Sequence, residues 1–487
     1  MNAMPFIEQL RHWAHTRADH DAVFVGEKRL SYADLAAGMG GASGPRFALI
    51  EEENGADLAQ AFCAGLVDHG IVGVLDTHWP GRVRDSVRAA ALDWARKSLA
   101  SPSSSDVFLL GFSSGTSGVP KGFVRSRSSW ASSLLASMAH FSLSPDDVTL
   151  APGPGAASMN LYALAECLAS GSTFIGLEHF SARAGLTAID KHQATRLVLV
   201  PSVLGLFADA AGRVGHQALG IRSIVCAGSA LPPQTLAAAR QWAPNARIEQ
   251  YYGAAELGFV AANVLAPAPP GQILVHSVTQ GQSESEDAGV GLPFDGVEVA
   301  ILDATGEQLP CGQPGSIFVR SPYVCDAYAW GDDALAFTRV PAGNGESDWC
   351  TVRDQGFLDA HGQLHVLGRE SDMVLVAGNN VYPQEIESVL AEGAQSGSVI
   401  VTGTKDDRRG QKLVVGLDAH DPRFASVLSS GEVPQALRTQ ATLLPFTHRP
   451  ALYFALTELP YTDSGKLSRA LLAAWIEDGD GRALQLR

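Results

Sequence analysis

Short, nearly continuous apolar runs mark the first 370 or so residues: Arg46–Glu51 (RFALIE), Ile71–Leu75 (IVGVL), Arg196–Val200 (RLVLV) and Ile221–Ala227 (IRSIVCA). Between them lie segments whose apolar residues recur at helical spacing, as in Ala56–His69. Strands that are apolar on successive residues are buried on both faces, and with intervening helices they build parallel sheets. The pattern therefore predicts an α/β architecture. Between about Val290 and Arg320 the rhythm changes to strands punctuated by Gly and Pro turns (GVEVAILDATGEQLPCGQPGSIFVR), which predicts a small, mostly antiparallel β unit. Gly281–Asp287 (GQSESED) and Pro341–Asp348 (PAGNGESD) read as exposed loops. After Gly368-Arg369 the composition restarts as an independent α+β segment. The expected division is a large multi-subdomain unit over 1–371 and a small one over 372–487.

Composition narrows the function. A chain of 487 residues is too long for one compact core, and its 46% apolar and 18% charged residues are ordinary for a globular protein. The net charge of −16 argues against nucleic-acid and membrane-surface binding, both of which use basic patches. The six cysteines (Cys63, Cys167, Cys226, Cys311, Cys325, Cys350) form no CxxC pair. That argues against zinc and disulfides and for buried thiols. Glu8 and Arg11 interrupt the start of the chain, and the longest apolar stretch, near Leu197–Phe207, is too short to cross a bilayer. A cytoplasmic enzyme without membrane insertion is the expectation.

The most informative segment is Leu109–Gly122, LLGFSSGTSGVPKG. An apolar strand runs into Ser113, Ser114, Gly115, Thr116, Ser117 and Gly118, followed by Pro120-Lys121-Gly122. Glycines let the backbone turn its N–H groups toward an anion, hydroxyls add donors, and Lys121 supplies charge for phosphate. It is not a Walker A loop, because Gly122 follows Lys121 where Ser or Thr is required. A surface Ser/Gly loop is the bland alternative, and the flanking strand and PKG weigh against it.

FSSGTSGVPKG resembles the signature loop of the adenylate-forming superfamily, which includes acyl- and aryl-CoA synthetases, adenylation domains and luciferases. Further motifs follow in the family's order. Gln250–Glu256 (QYYGAAE) is similar to YGxTE, with Ala255 in place of the usual Thr. The resemblance implies that Tyr252, Gly253, Ala254 and Ala255 lie against ATP, with Gly228, Ser229 and Ala230 near the adenine. It also implies that Glu256, with Thr116 of the loop, holds Mg²⁺. Asp354 in TVRDQG matches the aspartate that grips the ribose, although Val352 and Arg353 replace Thr and Gly; in isolation it would read as a turn residue. A carboxylate suits a cis-diol because it accepts two hydrogen bonds. Gly368–Val389 (GRESDMVLVAGNNVYPQEIESV) is similar to the interdomain hinge, implying that Arg369 reaches the nucleotide, Asp372 is the pivot and Gly378 opens the thiol channel. Leu459–Arg469 (LPYTDSGKLSR) resembles the terminal PxTxxGK motif and points to Lys466 as the catalytic lysine. Arg29–Leu35 (RLSYADL) is similar to an early family segment. The phosphate loop begins earlier than in typical members, so the first subdomain is expected to be trimmed.

The resemblance implies an AMP-forming ligase that uses ATP and Mg²⁺ and passes an acyl group to coenzyme A. By position, the acid would lie against Ala151–Leu161, Val200–Leu204 and Ala227–Leu231, with Ser158, Asn160, Val200, Ala227, Gly228 and Tyr251 as its contacts. Ala151–Leu161 contains no carboxylate to pair with an α-ammonium. That favours an aryl or medium-to-large aliphatic acid over an amino acid. The His common in that segment of CoA ligases is also missing. Two alternatives stand beside this reading: an enzyme that loads the phosphopantetheine of an acyl carrier protein, and an inactive nucleotide or acyl binder. The sequence leaves monomer and homodimer open.

Overall fold

The computed structural model describes residues 4–40, 46–53, 55–98, 106–113, 120–266, 289–331, 337–340, 348–376, 379–391, 397–406, 410–461 and 467–487. Among these residues, four sheets organise the chain. The largest has nine strands, in the order Leu292–Pro293, Gly258–Ala266, Arg247–Ala254, Ser223–Cys226, Arg196–Leu199, Val148–Leu150, Thr173–Gly176, Asp21–Val25 and Lys28–Ser31. From Arg247–Ala254 to Asp21–Val25 neighbouring strands run parallel. Arg196–Leu199 is buried at every position, as the apolar run Leu197–Leu199 requires, with Arg196 paired to Glu166. Some helices start on a side-chain cap. Ser181 Oγ accepts from Ala184 N at 3.1 Å, and Ser31 and Asp34 form a reciprocal capping box.

A second, five-stranded sheet runs Ala327–Trp330, Lys121–Ser126, Val107–Ser113, Ile71–Val74 and Phe47–Ile50. The expected strands at 46–51 and 71–75 lie here, and the helix expected over 56–69 ends at Gly65 before a short 3-10 turn. A third, antiparallel sheet of six strands is built from Glu298–Leu302, Gly315–Arg320, Thr338–Val340, Trp349–Thr351, Asp354–Leu358 and Leu364–Arg369. It is the small β unit, extended some fifty residues beyond the Gly/Pro-punctuated segment that announced it. The loop 281–287, and 341–347 of the second loop, lie outside the described residues.

The fourth sheet draws only on residues 374–485: Asn379–Val381, Val374–Val376, Gly410–Asp418, Val399–Asp406, Leu452–Leu456 and Ala483–Gln485. It has a core of its own around Ile386, Val401, Val415, Phe424 and Leu437. Pro383 opens the helix Pro383–Leu390, with Glu385 in its first turn, as proline geometry and the helix dipole favour. Of the cysteines, five are buried as expected; Cys311 is exposed, because it sits in the turn after Leu309-Pro310.

Candidate active site

The Ser/Gly-rich segment expected to hold phosphate connects two antiparallel strands. Val107–Ser113 pairs with Lys121–Ser126, and Ser113 lies opposite Lys121. This differs from a strand-to-helix phosphate loop, because the next helix, Arg127–His140, begins only after the second strand. Ser114, Gly115, Thr116, Ser117 and Gly118 lie outside the described residues. Lys121 is buried, 4% exposed, with its ammonium 5.4 Å from the ring centre of Tyr328. The edge strand Ala327–Trp330 pins the loop's exit, Trp330 Nε1 donating to Pro120 O at 3.1 Å.

Glu256 sits at the tip of a hairpin formed by Arg247–Ala254 and Gly258–Ala266. The hairpin closes tightly: a Cβ on Gly253 would lie 2.3 Å from the carbonyl oxygen of Gly258, so only glycine fits there. Glu256 is buried, accepts from Tyr328 Oη at 2.8 Å, and its backbone carbonyl accepts from Cys325 N at 2.7 Å. Tyr328 thus stands between the loop lysine and the carboxylate. No motif announced it, because it lies some 70 residues further along the chain on an unremarkable strand. Among the described residues no three His, Cys, Asp or Glu gather as a metal site. A single carboxylate fits Mg²⁺, which keeps most of its ligands as water and substrate phosphate.

Asp354 opens the strand Asp354–Leu358 and is 8% exposed, so it is not the turn residue its surroundings resemble. Its Oδ2 accepts from Tyr252 Oη at 2.6 Å, whereas its buried Oδ1 has no hydrogen-bond partner among the described residues. Arg369 Nε approaches Oδ1 to 3.7 Å from a side chain that is 57% exposed. Desolvation pushes the Asp354 carboxyl above its ordinary pKa, against the opposing pull of Tyr252 and Arg369. An orphaned buried carboxylate oxygen fits a ligand that brings hydroxyl donors. Arg353 adopts φ +62°, in the left-handed region favoured by the glycine it replaces, and Thr351 Oγ1 holds its N–H at 2.9 Å.

Gly228, Ser229 and Ala230 follow the carboxyl end of the parallel strand Ser223–Cys226, where α/β sheets place ligands. All three are exposed, and Leu231 N is tied to Gln250 Oε1 at 2.8 Å. The loop and the Tyr252 strand are therefore fixed relative to each other.

An apolar cavity of about 560 Å³ adjoins this loop and the hairpin. Ser158, Asn160, Val200, Ala227, Gly228 and Tyr251 all line it, together with Gly253, Ala254 and Ala255. Ser158 is exposed, and Asn160 is buried with Nδ2 donating to Pro154 O at 3.0 Å. Trp130, Tyr162 and Phe259 form an aromatic wall, Tyr162 donating to Ser133 Oγ at 2.9 Å. Among the described lining residues there is no carboxylate, and the one charged side chain is Arg125. Sequence reasoning passed over Arg125, although a charge inside the apolar strand KGFVRS was a visible signal.

Asp372 Oδ2 accepts from Arg469 Nη1 at 3.0 Å, and Arg469 Nη2 reaches Glu387 at 2.7 Å. Gly378 and Lys466 lie outside the described residues. The ends of the lysine segment are drawn together by the Tyr461–Leu467 bridge and by Ser468 N donating to Pro460 O at 2.8 Å.

Residues 39–329, more than half of the chain, match the profile of the AMP-binding enzymes. The chain belongs to that family. An uncharacterised acyl–CoA ligase of Bacillus subtilis, YhfT, is 29% identical over 374 residues, spanning 76% of this AMP-binding enzyme and 69% of YhfT. Among solved structures, the amide bond synthetase McbA from Marinactinospora thermotolerans superposes with a TM-score of 0.76 at 22% identity, covering 97% of this chain and 100% of McbA. The o-succinylbenzoate coenzyme A synthetase MenE of B. subtilis, in complex with ATP and magnesium, gives 0.75 at 22%, over 95% and 98% of the two chains. At such identities the likeness is one of fold. Among the described residues no helix of this AMP-binding enzyme is long and apolar enough to cross a membrane.

Proposed function

We propose that this AMP-binding enzyme is an AMP-forming acid–thiol ligase that converts an aryl or medium-to-large aliphatic acid to its coenzyme A thioester. The observation that carries the reading is the division of labour on one strand. Tyr251 lines the acid cavity, whereas its neighbour Tyr252 bonds Asp354, because successive strand residues face opposite ways. Acid and nucleotide would thereby meet at the Gly253–Glu256 turn. The kinship with YhfT, named an acyl–CoA ligase, supports coenzyme A as acceptor.

In the first half-reaction a carboxylate oxygen bonds to the α-phosphorus of ATP while the bond to the pyrophosphate oxygen breaks. The products are acyl-adenylate and pyrophosphate. Asp354 would orient the ribose through Oδ1, Tyr252 keeping that carboxylate in place. The loop Ser113–Lys121 would hold the phosphates, and Lys466 would face the charge that grows on the α-phosphate. Glu256, with Thr116, would hold Mg²⁺, which when bound would neutralise phosphate charge. In the second half-reaction the thiol sulfur bonds to the acyl carbon, its proton is lost, and the bond to AMP breaks. We assign Asp372 as the hinge that exchanges Lys466 for the Gly378 channel between the two steps. The apolar lining and the lack of a described carboxylate there support a neutral acyl tail over an amino acid.

The test measures pyrophosphate release over a panel of aryl and aliphatic acids, with and without coenzyme A, beside arms offering a carrier protein or an amine. Acid-dependent release with thioester formation on free coenzyme A is expected. Acid-independent release, or transfer to the carrier or the amine alone, would overturn the assignment.

A further inference from the structure

Arg125 is a buried cation in a place where most of what surrounds it is apolar. It lies on the strand Lys121–Ser126, where Lys121, Phe123 and Arg125 alternate onto one face. Phe123 and Arg125 both line the acid cavity. Only 5% of Arg125 is exposed. Its Nη2 donates to Ala255 O at 2.7 Å and its Nη1 to Tyr323 O. These carbonyls use two of the five guanidinium donors and do not neutralise the charge. Among the described residues its hydrogen-bond partners are these two carbonyls, while the carboxylates of Glu256 and Asp326 act on it through space. Burial disfavours the charged form, yet an arginine in a protein does not deprotonate. A buried charge of this kind calls for a counter-charge.

We infer that Arg125 binds the carboxylate of the acid substrate, drawing it to the end of the cavity beside Ala255 and Glu256. The inference rests on the ligase reading and deepens it. That reading brings one obligatory anion into this cavity, the acid itself. Tethered to the Ala255 carbonyl, the guanidinium lies at the turn where the acid cavity meets the phosphate side. There the side chain of Ala255 offers no donor. With the carboxylate held at Arg125, the apolar remainder of the acid extends toward Trp130, Tyr162 and Phe259. A guanidinium presents paired N–H donors matched to a carboxylate, and the described lining residues include no competing acid.

The test uses hexanoate, octanoate, benzoate, phenylacetate and indole-3-acetate, with the best of them taken forward beside its carboxamide. With α,β-methylene-ATP present, the wild-type protein should bind the carboxylate at least about tenfold more tightly than the carboxamide, as expected for a hydrogen bond to a charged group. Equal binding overturns the inference without any variant. Arg125→Met should raise the KM for the acid about 10- to 100-fold. Its KM for ATP, and its conversion of synthetic acyl-adenylate plus coenzyme A, should remain within about threefold, because the adenylate has no free carboxylate. Arg125→Lys should recover part of the carboxylate preference. An equal rise in both KM values, or an unchanged KM for the acid, would reduce Arg125 to a strut between two carbonyls. If the wild type releases pyrophosphate with none of the acids, the ligase reading fails first and takes this inference with it.

Discussion

Asp354→Asn separates what a buried carboxylate does for nucleotide binding from what it does to stability. Asn retains an oxygen that Tyr252 Oη can donate to, so the 2.6 Å contact has a replacement. It loses the second anionic oxygen, the orphaned Oδ1 that would accept a ribose hydroxyl. One hydrogen bond to a charged group is worth about 1.5–3 kcal/mol, so kcat/KM for ATP should fall about 10- to 150-fold. The substitution should also blunt discrimination against 2′,3′-dideoxy-ATP, because the ribose hydroxyls no longer meet a carboxylate. Stability should move the other way. Burial holds the Asp354 pKa above its ordinary value. A raised folded-state pKa contributes stability below the ordinary carboxylate range, and that contribution is lost as pH rises through the raised value. At neutral pH the wild type therefore carries the cost of a buried charge. The Arg369 contact, at 3.7 Å from a 57% exposed side chain, offsets little of it. The Tm of Asp354→Asn should equal or exceed the wild type at pH 7, with the advantage shrinking as pH falls toward the carboxylate range. The assays are pyrophosphate release at varied ATP and thermal unfolding at several pH values. A kcat/KM within about threefold of wild type would remove Asp354 from the ribose. A clear drop in Tm at pH 7 would show that its ion pair outweighs its desolvation.

Lys466→Ala should slow adenylation on the order of 10²-fold or more while sparing conversion of preformed acyl-adenylate, and Gly378→Trp should do the reverse; equal loss of both half-reactions in both variants would argue against domain alternation. Arg196→Met should strand Glu166, its partner at 2.9 Å, where both side chains are at most 3% exposed. The expected cost is about 3–5 kcal/mol, read as a fall in Tm of several degrees, and an unchanged Tm would show that the pair contributes no net stability. Arg353→Gly should stay within about 1 kcal/mol of wild type with unaltered ATP kinetics, since relief of the +62° φ offsets the added freedom of the unfolded chain and the Glu370 contact is exposed. A loss above about 2 kcal/mol would show that the arginine side chain itself holds the turn.

Local features were legible because their causes are local. The apolar run Leu197–Leu199 lies in a buried parallel strand, and Pro383 starts a helix where proline's fixed φ suits the first turn. Motif spacing singled out Asp354 even though its immediate neighbours resemble a turn. Tyr328 and Arg125 were not legible in the same way. Tyr328 acts through a contact across 72 positions of chain, and Arg125 through carbonyls 130 and 198 positions away. Neither separation leaves a periodic trace. Cys311 was read as buried with the other thiols, because a cysteine's type says more about its average burial than about the turn it occupies.

Alone, the sequence determined the α/β class, the order of the nucleotide motifs and the lack of a carboxylate in the segment expected to hold the acid, for these depend on residue type and periodicity over short windows. Tertiary structure decided that the phosphate loop joins two antiparallel strands, since strand pairing is set by packing between distant segments. It decided that Tyr252 and Asp354, 102 positions apart, share one hydrogen bond, and that the other oxygen of that carboxylate is buried without a partner among the described residues. It also decided that, among the described residues, one guanidinium lines a largely apolar cavity. Burial sets the energetic weight of each of these groups, and burial is a property of the whole packed chain rather than of any stretch of it.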